Sequence, residues 1–342
     1  MDCDNIPIVQ LTNEDLEKLL HKQLGTDLKV ESFTCKYLTK PGENYGSTIL
    51  SIEVFYHKGE NQLKKLSMVG KLVPQSTFLQ EMFHVCITVK KEIRMYILVK
   101  PELDNLQKEI GIPESERIDV LPDYYGSQIN KEEDMDADAD NSAILLLGNL
   151  KLSGYVVGDR KLGLDIKHME LAITALAQLH ALSIALKLLK PQIFNETVIK
   201  ACEKYVLGKM DNDEILNDWI NSTVGYVKPL PECIPYLERI EEDVHKYFNL
   251  KGKATEPPPR EPFATLVHND FWVNNIMFKY QKSSDNNSSI PVKVKIVDFQ
   301  LTTYASPVRD LIFLLFTSSE EGLVEKHYDY LISLYHKEFL QF

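Results

Sequence analysis

The order of apolar and polar positions divides the chain into a strand-rich beginning and a helical remainder. A short helix comes first, because Leu16, Leu19 and Leu20 fall on one helical face. Residues 30–73 then change to the pattern of strands, with many β-branched and aromatic side chains. We expect strands at 48–56, 66–73, 118–121 and 143–147.

A longer helix is predicted between the second and third of these strands, over residues 78–99. Ile93, Tyr96 and Ile97 give this segment an apolar stripe at helical spacing. We expect Pro101 to end it, because proline lacks an amide hydrogen and clashes with the preceding turn.

After Gly163 the pattern is mostly helical up to the proline-rich stretch 256–262. Strands and one helix followed by a run of helices indicate an α+β fold in two lobes. We predict a β-rich N-terminal lobe at residues 1–147 and a mostly helical C-terminal lobe at 148–342.

Composition narrows the class of function. Hydrophobic residues make up 44% of the 342 positions and charged residues 26%, as in an ordinary globular protein. The formal net charge of −12 argues against nucleic acid as a partner, because an acidic chain repels a phosphate backbone. A nucleotide remains possible, since one local cluster of cations and a metal ion can hold a triphosphate.

The location of the protein is predicted from its cysteines and its apolar stretches. The five cysteines are scattered without metal or redox spacing, which indicates reduced thiols. The acidic N-terminus lacks the apolar core of a signal peptide. The most apolar stretch, 171–189, is interrupted by polar residues and indicates a buried helix. We therefore predict a cytoplasmic protein with no membrane partner.

The segment that carries chemistry begins near residue 266. An apolar strand leads into a loop with His268 and Asp270, and Asn275 stands at the start of the next strand. The alternating segment 292–296 then leads to Asp298, followed by Phe299 and Gln300. In the alternative interpretation, Asp270 and Asn275 only cap backbone groups of a polar turn.

Phosphoryl transfer needs side chains of these types in this order. One carboxylate orients the attacking hydroxyl and accepts its proton, while a carboxamide and a second carboxylate hold Mg²⁺. The pattern His268, Asp270, Asn275 and Asp298 supplies such a set, and it therefore favours a site for Mg²⁺ and ATP. We regard Asp270 and His268 as the catalytic candidates, with a structural role favoured for His268.

A phosphate-binding lysine and its partner are predicted upstream. Lys71 interrupts an otherwise apolar strand, and a buried lysine without a partner would be unfavourable. Glu92, on the helix that follows, is the expected partner. Glu81 is the alternative, although it lies closer to the start of that helix.

A polar, glycine-containing loop precedes Lys71 by one hairpin. Glycines there would let backbone amides approach phosphate groups. The candidate nucleotide-binding residues of this loop are Gly42, Asn44, Tyr45, Gly46 and Ser47.

Together these motifs resemble the ecdysteroid kinase-like family of arthropods, whose fold is related to those of choline kinase and the aminoglycoside phosphotransferases. The segments that carry the resemblance are 42–45, Lys71, 92–96, 150–155, 159–165, 176–181, 268–278 and 297–300.

The resemblance implies a two-lobed, protein-kinase-like fold and ATP-dependent phosphorylation of a hydroxyl on an ecdysteroid or a xenobiotic. It implies that Asp270 is the catalytic base, that Asn275 and Asp298 bind Mg²⁺ and that Lys71 binds the phosphates.

The family also has further C-terminal helices that wall the acceptor pocket, so we expect this chain to be shortened there. The alternative function is a non-catalytic, nucleotide-binding pseudokinase. A protein kinase is disfavoured, because little room for an activation loop remains between Asp298 and Asp310.

Three further polar features are interpreted as structural. His180 lies on an apolar helical stripe and is expected to be a hydrogen-bonded core histidine. Asp310 is expected to anchor the loop that contains His268 and Asp270, here named the catalytic loop. The acidic segment 131–140 lacks the glycine and glutamate of a calcium loop and is predicted to be a solvated, mobile hairpin loop.

Overall fold

The computed structural model describes residues 11–38, 46–59, 62–204, 213–251, 259–282 and 289–341. Its first helix, α1 (Asn13–Leu24), begins with a capping box in which Thr12 and Asp15 exchange side-chain and backbone hydrogen bonds. Leu16, Leu19 and Leu20 are buried, as their spacing predicts.

One antiparallel sheet of five strands forms the core of the first half of the chain. Its strands are β1 (Leu28–Tyr37), β2 (Thr48–Lys58), β3 (Lys64–Leu72), β4 (Tyr124–Gln128) and β5 (Ile144–Gly148). They lie in the order β1-β2-β3-β5-β4, and α1 packs against β1 and β4. The predicted strands at 48–56, 66–73 and 143–147 are confirmed.

The strand predicted at 118–121 is wrong, because the sheet uses Tyr124–Gln128 instead. The backbone of Ile118 is bonded at both its amide and its carbonyl by the side chain of Gln107. The carbonyl of Val120 accepts a hydrogen bond from Ile296. These tertiary partners occupy the backbone groups that a sheet neighbour would have used.

The helix predicted at 78–99 is divided, and it does not end at Pro101. Residue His84 adopts a left-handed conformation between α2 (Thr77–Met82) and α3 (Val85–Arg94). A π-helical turn (Met95–Val99) then leads into α4 (Lys100–Glu109). Pro101 lies in the first turn of α4, where a missing amide hydrogen has no consequence.

The second half of the chain is mostly helical. Its helices are α5 (Ile166–Leu189), α6 (Pro191–Phe194), α7 (Asp213–Val227), α8 (Leu237–Lys251), α9 (Val308–Ser318) and α10 (Leu323–Phe339). The strands β6 (Tyr155–Val157), β8 (Ile276–Lys282) and β9 (Ser289–Ile296) form one small sheet, while β7 (Thr265–Val267) pairs with β10 (Thr303–Ala305).

The fold is therefore the α+β, kinase-like fold that the sequence predicts, with strands first and helices later. The predicted boundary between the two lobes, at residues 147 and 148, falls within β5. This boundary stays a prediction. Helix α5 is long and apolar enough to cross a membrane, but 61% of its most apolar window is buried inside the protein. It packs against α10.

Candidate active site

Lys71 and Glu92 form a buried ion pair. The Nζ atom of Lys71 lies 2.8 Å from Oε1 of Glu92 and 2.6 Å from Oε2. Strand β3 supplies the lysine and α3 supplies the glutamate, so the sheet and its neighbouring helix are joined at this point. The predicted partnership with Glu92, in preference to Glu81, is confirmed.

Asp298 completes a three-residue cluster with this ion pair. Its Oδ1 atom lies 3.0 Å from Nζ of Lys71. Burial alone would favour the neutral amine, but the charges of Asp298 and Glu92 outweigh it and raise the pKa of Lys71. Burial raises the pKa of Glu92, although Lys71 opposes this effect. The cluster therefore holds a charged ammonium group between two carboxyl groups.

The catalytic loop is held in place by Asp310, at the start of α9. Its carboxylate accepts hydrogen bonds from the backbone amides of His268 and Asn269, each at 2.7 Å. It also accepts one from Nε2 of His180, whose Nδ1 accepts from the hydroxyl of Tyr335. The structural roles predicted for Asp310 and His180 are confirmed by these contacts.

His268 connects the catalytic loop to the segment that carries Asp298. Its Nε2 donates to the carbonyl of Val297 at 2.9 Å, and its Nδ1 accepts from the amide of Asp270 at 3.3 Å. These two bonds define a neutral ring with its proton on Nε2. Both ring nitrogens are thus engaged with backbone groups, which favours the structural role over proton transfer.

Asp270 lies beside Asn275 in the same loop. The Nδ2 atom of Asn275 donates to the backbone carbonyl of Asp270 at 2.9 Å and to its Oδ2 at 2.8 Å. Burial raises the pKa of Asp270 above its ordinary value; the charge of Asp298 adds to this shift and the hydrogen bond from Asn275 opposes it. A carboxylate of raised pKa is a stronger proton acceptor than an ordinary aspartate.

Asn275 and Asp298 have the chemistry of a Mg²⁺ site. The Nδ2 atom of Asn275 faces Asp270. Within the described residues, the Oδ1 atom of Asn275 is therefore left to act as a metal ligand. The side chain of Asp298 is 36% exposed, in contrast to those of Lys71 and Glu92. Asp298 also has a left-handed backbone with φ 68°, an uncommon conformation for a residue other than glycine. An amide oxygen and an accessible carboxylate suit a hard divalent cation.

Gly46, in the described part of the predicted phosphate loop, lies beside Gln300, which follows Asp298 by two residues. A β-carbon at Gly46 would lie 2.8 Å from Oε1 of Gln300, so only glycine fits at this position without a shift. The Nε2 atom of Gln300 is buried without a hydrogen-bond partner among the described residues. A buried donor of this kind suits an anionic ligand oxygen. Ser47 is also buried.

The other predicted residues of this loop, Gly42, Asn44 and Tyr45, lie outside the described residues. The proximity of Gly46 and Gln300 was not predictable from the sequence, because the two residues are far apart in the chain.

A row of aromatic rings lies next to the cluster of Lys71, Glu92 and Asp298. These ring contacts were not predicted from the sequence. The ring centroid of Phe299 lies 4.7 Å from that of His268 and 6.3 Å from that of Tyr96. Tyr96 stacks in turn on Tyr124 at 6.3 Å. Tyr96 follows Glu92 by four residues, a spacing that places both side chains on one helical face. This spacing is the one sequence feature that indicates an aromatic ring near Glu92.

The comparison with protein families agrees with this geometry. The model of the Ecdysteroid kinase-like family matches residues 41–342. A search of curated proteins finds no match to this chain. Because the family model covers most of the chain, including Lys71, Glu92, the catalytic loop and Asp298, this protein belongs to the Ecdysteroid kinase-like family.

Proposed function

We propose that this protein transfers the γ-phosphate of ATP to a hydroxyl group of a small molecule, an ecdysteroid or a xenobiotic alcohol, in the presence of Mg²⁺. Membership of the family indicates a kinase-like phosphotransferase. The proposal further assigns this activity to the cytoplasm, without nucleic acid or membrane as a partner.

The observation that carries the proposal is the convergence of Lys71, Glu92 and Asp298 from three distant segments. Lys71 contacts the two carboxyl groups at 2.6–3.0 Å. The desolvation penalty of a buried ion pair can exceed the attraction between its charges, so stability alone does not explain this cluster and a functional role is favoured. In the proposed function Lys71 binds the phosphates of ATP, and Glu92 orients the lysine.

Asn275 and Asp298 are the residues that would hold Mg²⁺, through an amide oxygen and a carboxylate oxygen. When bound, Mg²⁺ would neutralise charge on the phosphates and position them for transfer. Gln300 would donate a hydrogen bond from its Nε2, which has no partner among the described residues, to a phosphate oxygen.

Asp270 acts on the acceptor. The acceptor oxygen forms a bond to the γ-phosphorus, the bond from this phosphorus to the β–γ bridging oxygen breaks, and ADP leaves. Asp270 accepts the hydroxyl proton, while Asn275 holds its Oδ2 atom in position. The raised pKa of Asp270 suits this role.

The proposal is tested by single-turnover transfer from γ-labelled ATP to steroid and xenobiotic alcohols. The full chain should transfer label in the presence of Mg²⁺, and Asp270→Asn should lower the rate by about 10²–10⁴-fold. Binding of ATP should survive in this variant, because Asp270 is assigned neither to the nucleotide nor to the metal.

Two outcomes would contradict parts of the proposal. ATP binding without transfer to any alcohol would favour the nucleotide-binding pseudokinase instead. Transfer at an unchanged rate by Asp270→Asn would remove Asp270 as the base.

A further inference from the structure

Helix α3 has a second polar face, which does not belong to the active site. Lys90 and Arg94 lie one helical turn apart and are nearly completely buried, at 2% and 3% exposure. Glu92 is two residues from each, which corresponds to roughly 200° around the helix. The basic face of α3 is therefore directed away from the face that contacts Lys71.

Arg94 is surrounded by acceptors from two distant segments. Its guanidinium lies 2.7 Å from the carboxylate of Glu203 and 3.2 Å from that of Asp136. It also donates to the backbone carbonyls of Met135 and Lys200, at 2.7 and 3.0 Å. Such a set of partners fixes the end of α3 from both sides.

Lys90 extends the same network. Its Nζ atom lies 2.8 Å from Asp138 and 3.2 Å from Glu203. Lys200 adds a further ion pair, at 2.5 Å from Asp136. The carboxylates of Asp136, Asp138 and Glu203, here named the acidic clamp, thus join α3 to the acidic segment 131–140 and to the segment that follows α6.

The acidic segment is a solvent-exposed loop, as predicted, and hydrogen bonds within the loop and to α3 hold it in place. Asn130 bonds the carbonyl and the amide of Asp134 at 2.7 and 2.9 Å. The amide of Ala139 donates to the carbonyl of Cys86, in the first turn of α3. The segment therefore lies along α3 and presents its aspartates to the basic face.

We propose that the acidic clamp positions α3, and that Asp136, Asp138 and Glu203 thereby act as positioning residues for the Lys71–Glu92 pair. This inference rests on the proposed function for its effect on nucleotide binding. The acidic clamp contacts the basic face of α3, while Lys71 contacts Glu92 on the face of α3 that is directed to the active site.

The physical basis of the proposal is a difference in burial between the cations on α3 and the aspartates of the acidic clamp. The cations are nearly buried, so removing a carboxylate takes away part of the compensation for their lost hydration. The side chains of Asp136 and Asp138 are 67% and 61% exposed, so substituting them leaves no cavity. Loss of the clamp should therefore loosen α3 without removing any group from the core.

The test compares wild type with Asp136→Asn/Glu203→Gln in the full chain. Affinity for Mg²⁺·ATP, measured by titration calorimetry, should fall roughly threefold to tenfold, since partly exposed ion pairs contribute modestly. Glu132→Gln is the matched control, because it removes one charge from the same segment and Glu132 forms no ion pair among the described residues. Asp136→Glu/Glu203→Asp should recover most of the affinity.

Measuring the clamp substitutions in a second variant background distinguishes a positioning role from a merely structural one. In Lys71→Met, which lacks the ammonium group that Glu92 orients, the double substitution in the clamp should change nucleotide affinity little. An equal loss of affinity in both backgrounds would overturn the proposal.

Hydrogen–deuterium exchange of α3 amides supplies a measurement that needs no nucleotide. Exchange over Val85–Arg94 should rise in the clamp variant and not in Glu132→Gln. Unchanged exchange in a folded clamp variant would overturn the inference even if ATP binds. Raised exchange in a protein that binds no ATP would support the clamp and contradict the proposed function. If the double variant does not fold, Asp138→Asn alone is measured in the same way.

Discussion

Asp310 accepts a hydrogen bond from the backbone amide of His268 at 2.7 Å, across 42 residues of sequence. This contact joins the start of α9 to the catalytic loop. The other carboxylate oxygen accepts from Asn269, whose backbone is left-handed with φ 66°. A buried side chain thus stabilises a loop conformation that a residue other than glycine rarely adopts.

We expect Asp310→Asn to destabilise the protein by about 1–3 kcal/mol, because an amide nitrogen replaces one acceptor and leaves a buried donor unpaired. Urea unfolding should show a lower midpoint with an unchanged slope. Asp329→Asn, at an exposed position of α10, is the control. A midpoint as high as that of the control would mean that Asp310 does not hold the loop.

Lys71→Met should weaken binding of Mg²⁺·ATP by about tenfold, the equivalent of one lost charge-assisted hydrogen bond. Glu92→Gln should weaken it less, and the double variant should lose less than the sum, because the two groups contact each other. Lys65→Met is the matched control on the same strand, since its ion pair with Glu53 is solvent-exposed. Additive losses in titration calorimetry would contradict the coupling.

Asp270→Asn should make the folded protein more stable at neutral pH, although it should lower the proposed activity. The raised pKa means that the folded state retains a proton which the unfolded chain releases near pH 3.9. Stability due to this group is therefore greatest at low pH and is lost as the pH rises through the folded-state pKa.

Thermal unfolding across pH measures this effect. The melting temperature of Asp270→Asn should exceed that of wild type by on the order of 1–2 °C at pH 7, and the difference should shrink toward low pH. A difference independent of pH would show that the titration of Asp270 is not its cause.

Gly46→Ala should displace the carboxamide of Gln300, because the new β-carbon would lie 2.8 Å from its Oε1 atom. The side chain of Gln300 is flexible at this end, so the protein should fold normally and lose affinity for Mg²⁺·ATP, roughly threefold. In a Gln300→Ala background the same substitution should have little further effect. Gly225→Ala, where nothing lies within 4 Å of the new carbon, is the control for the substitution itself.

Local patterns determined much of the site. Lys71 interrupts an apolar strand, and Glu92 lies on the next helix with apolar neighbours, so burial of the lysine required a nearby acid. The catalytic loop and Asp298 were also predictable, because short spacings between strands place their side chains at one end of a sheet.

The tertiary structure alone decided where α3 begins and ends, how the acidic segment packs and which residue meets Gly46. Asp136 and Glu203 meet Arg94 from positions 42 and 109 residues away, and Gln300 meets Gly46 across a still longer separation. Hydrophobic periodicity identifies the buried side of an element, and charge runs suggest solvent. Neither reveals which distant segment supplies a counter-charge, because that partner is chosen by the packing of the whole chain.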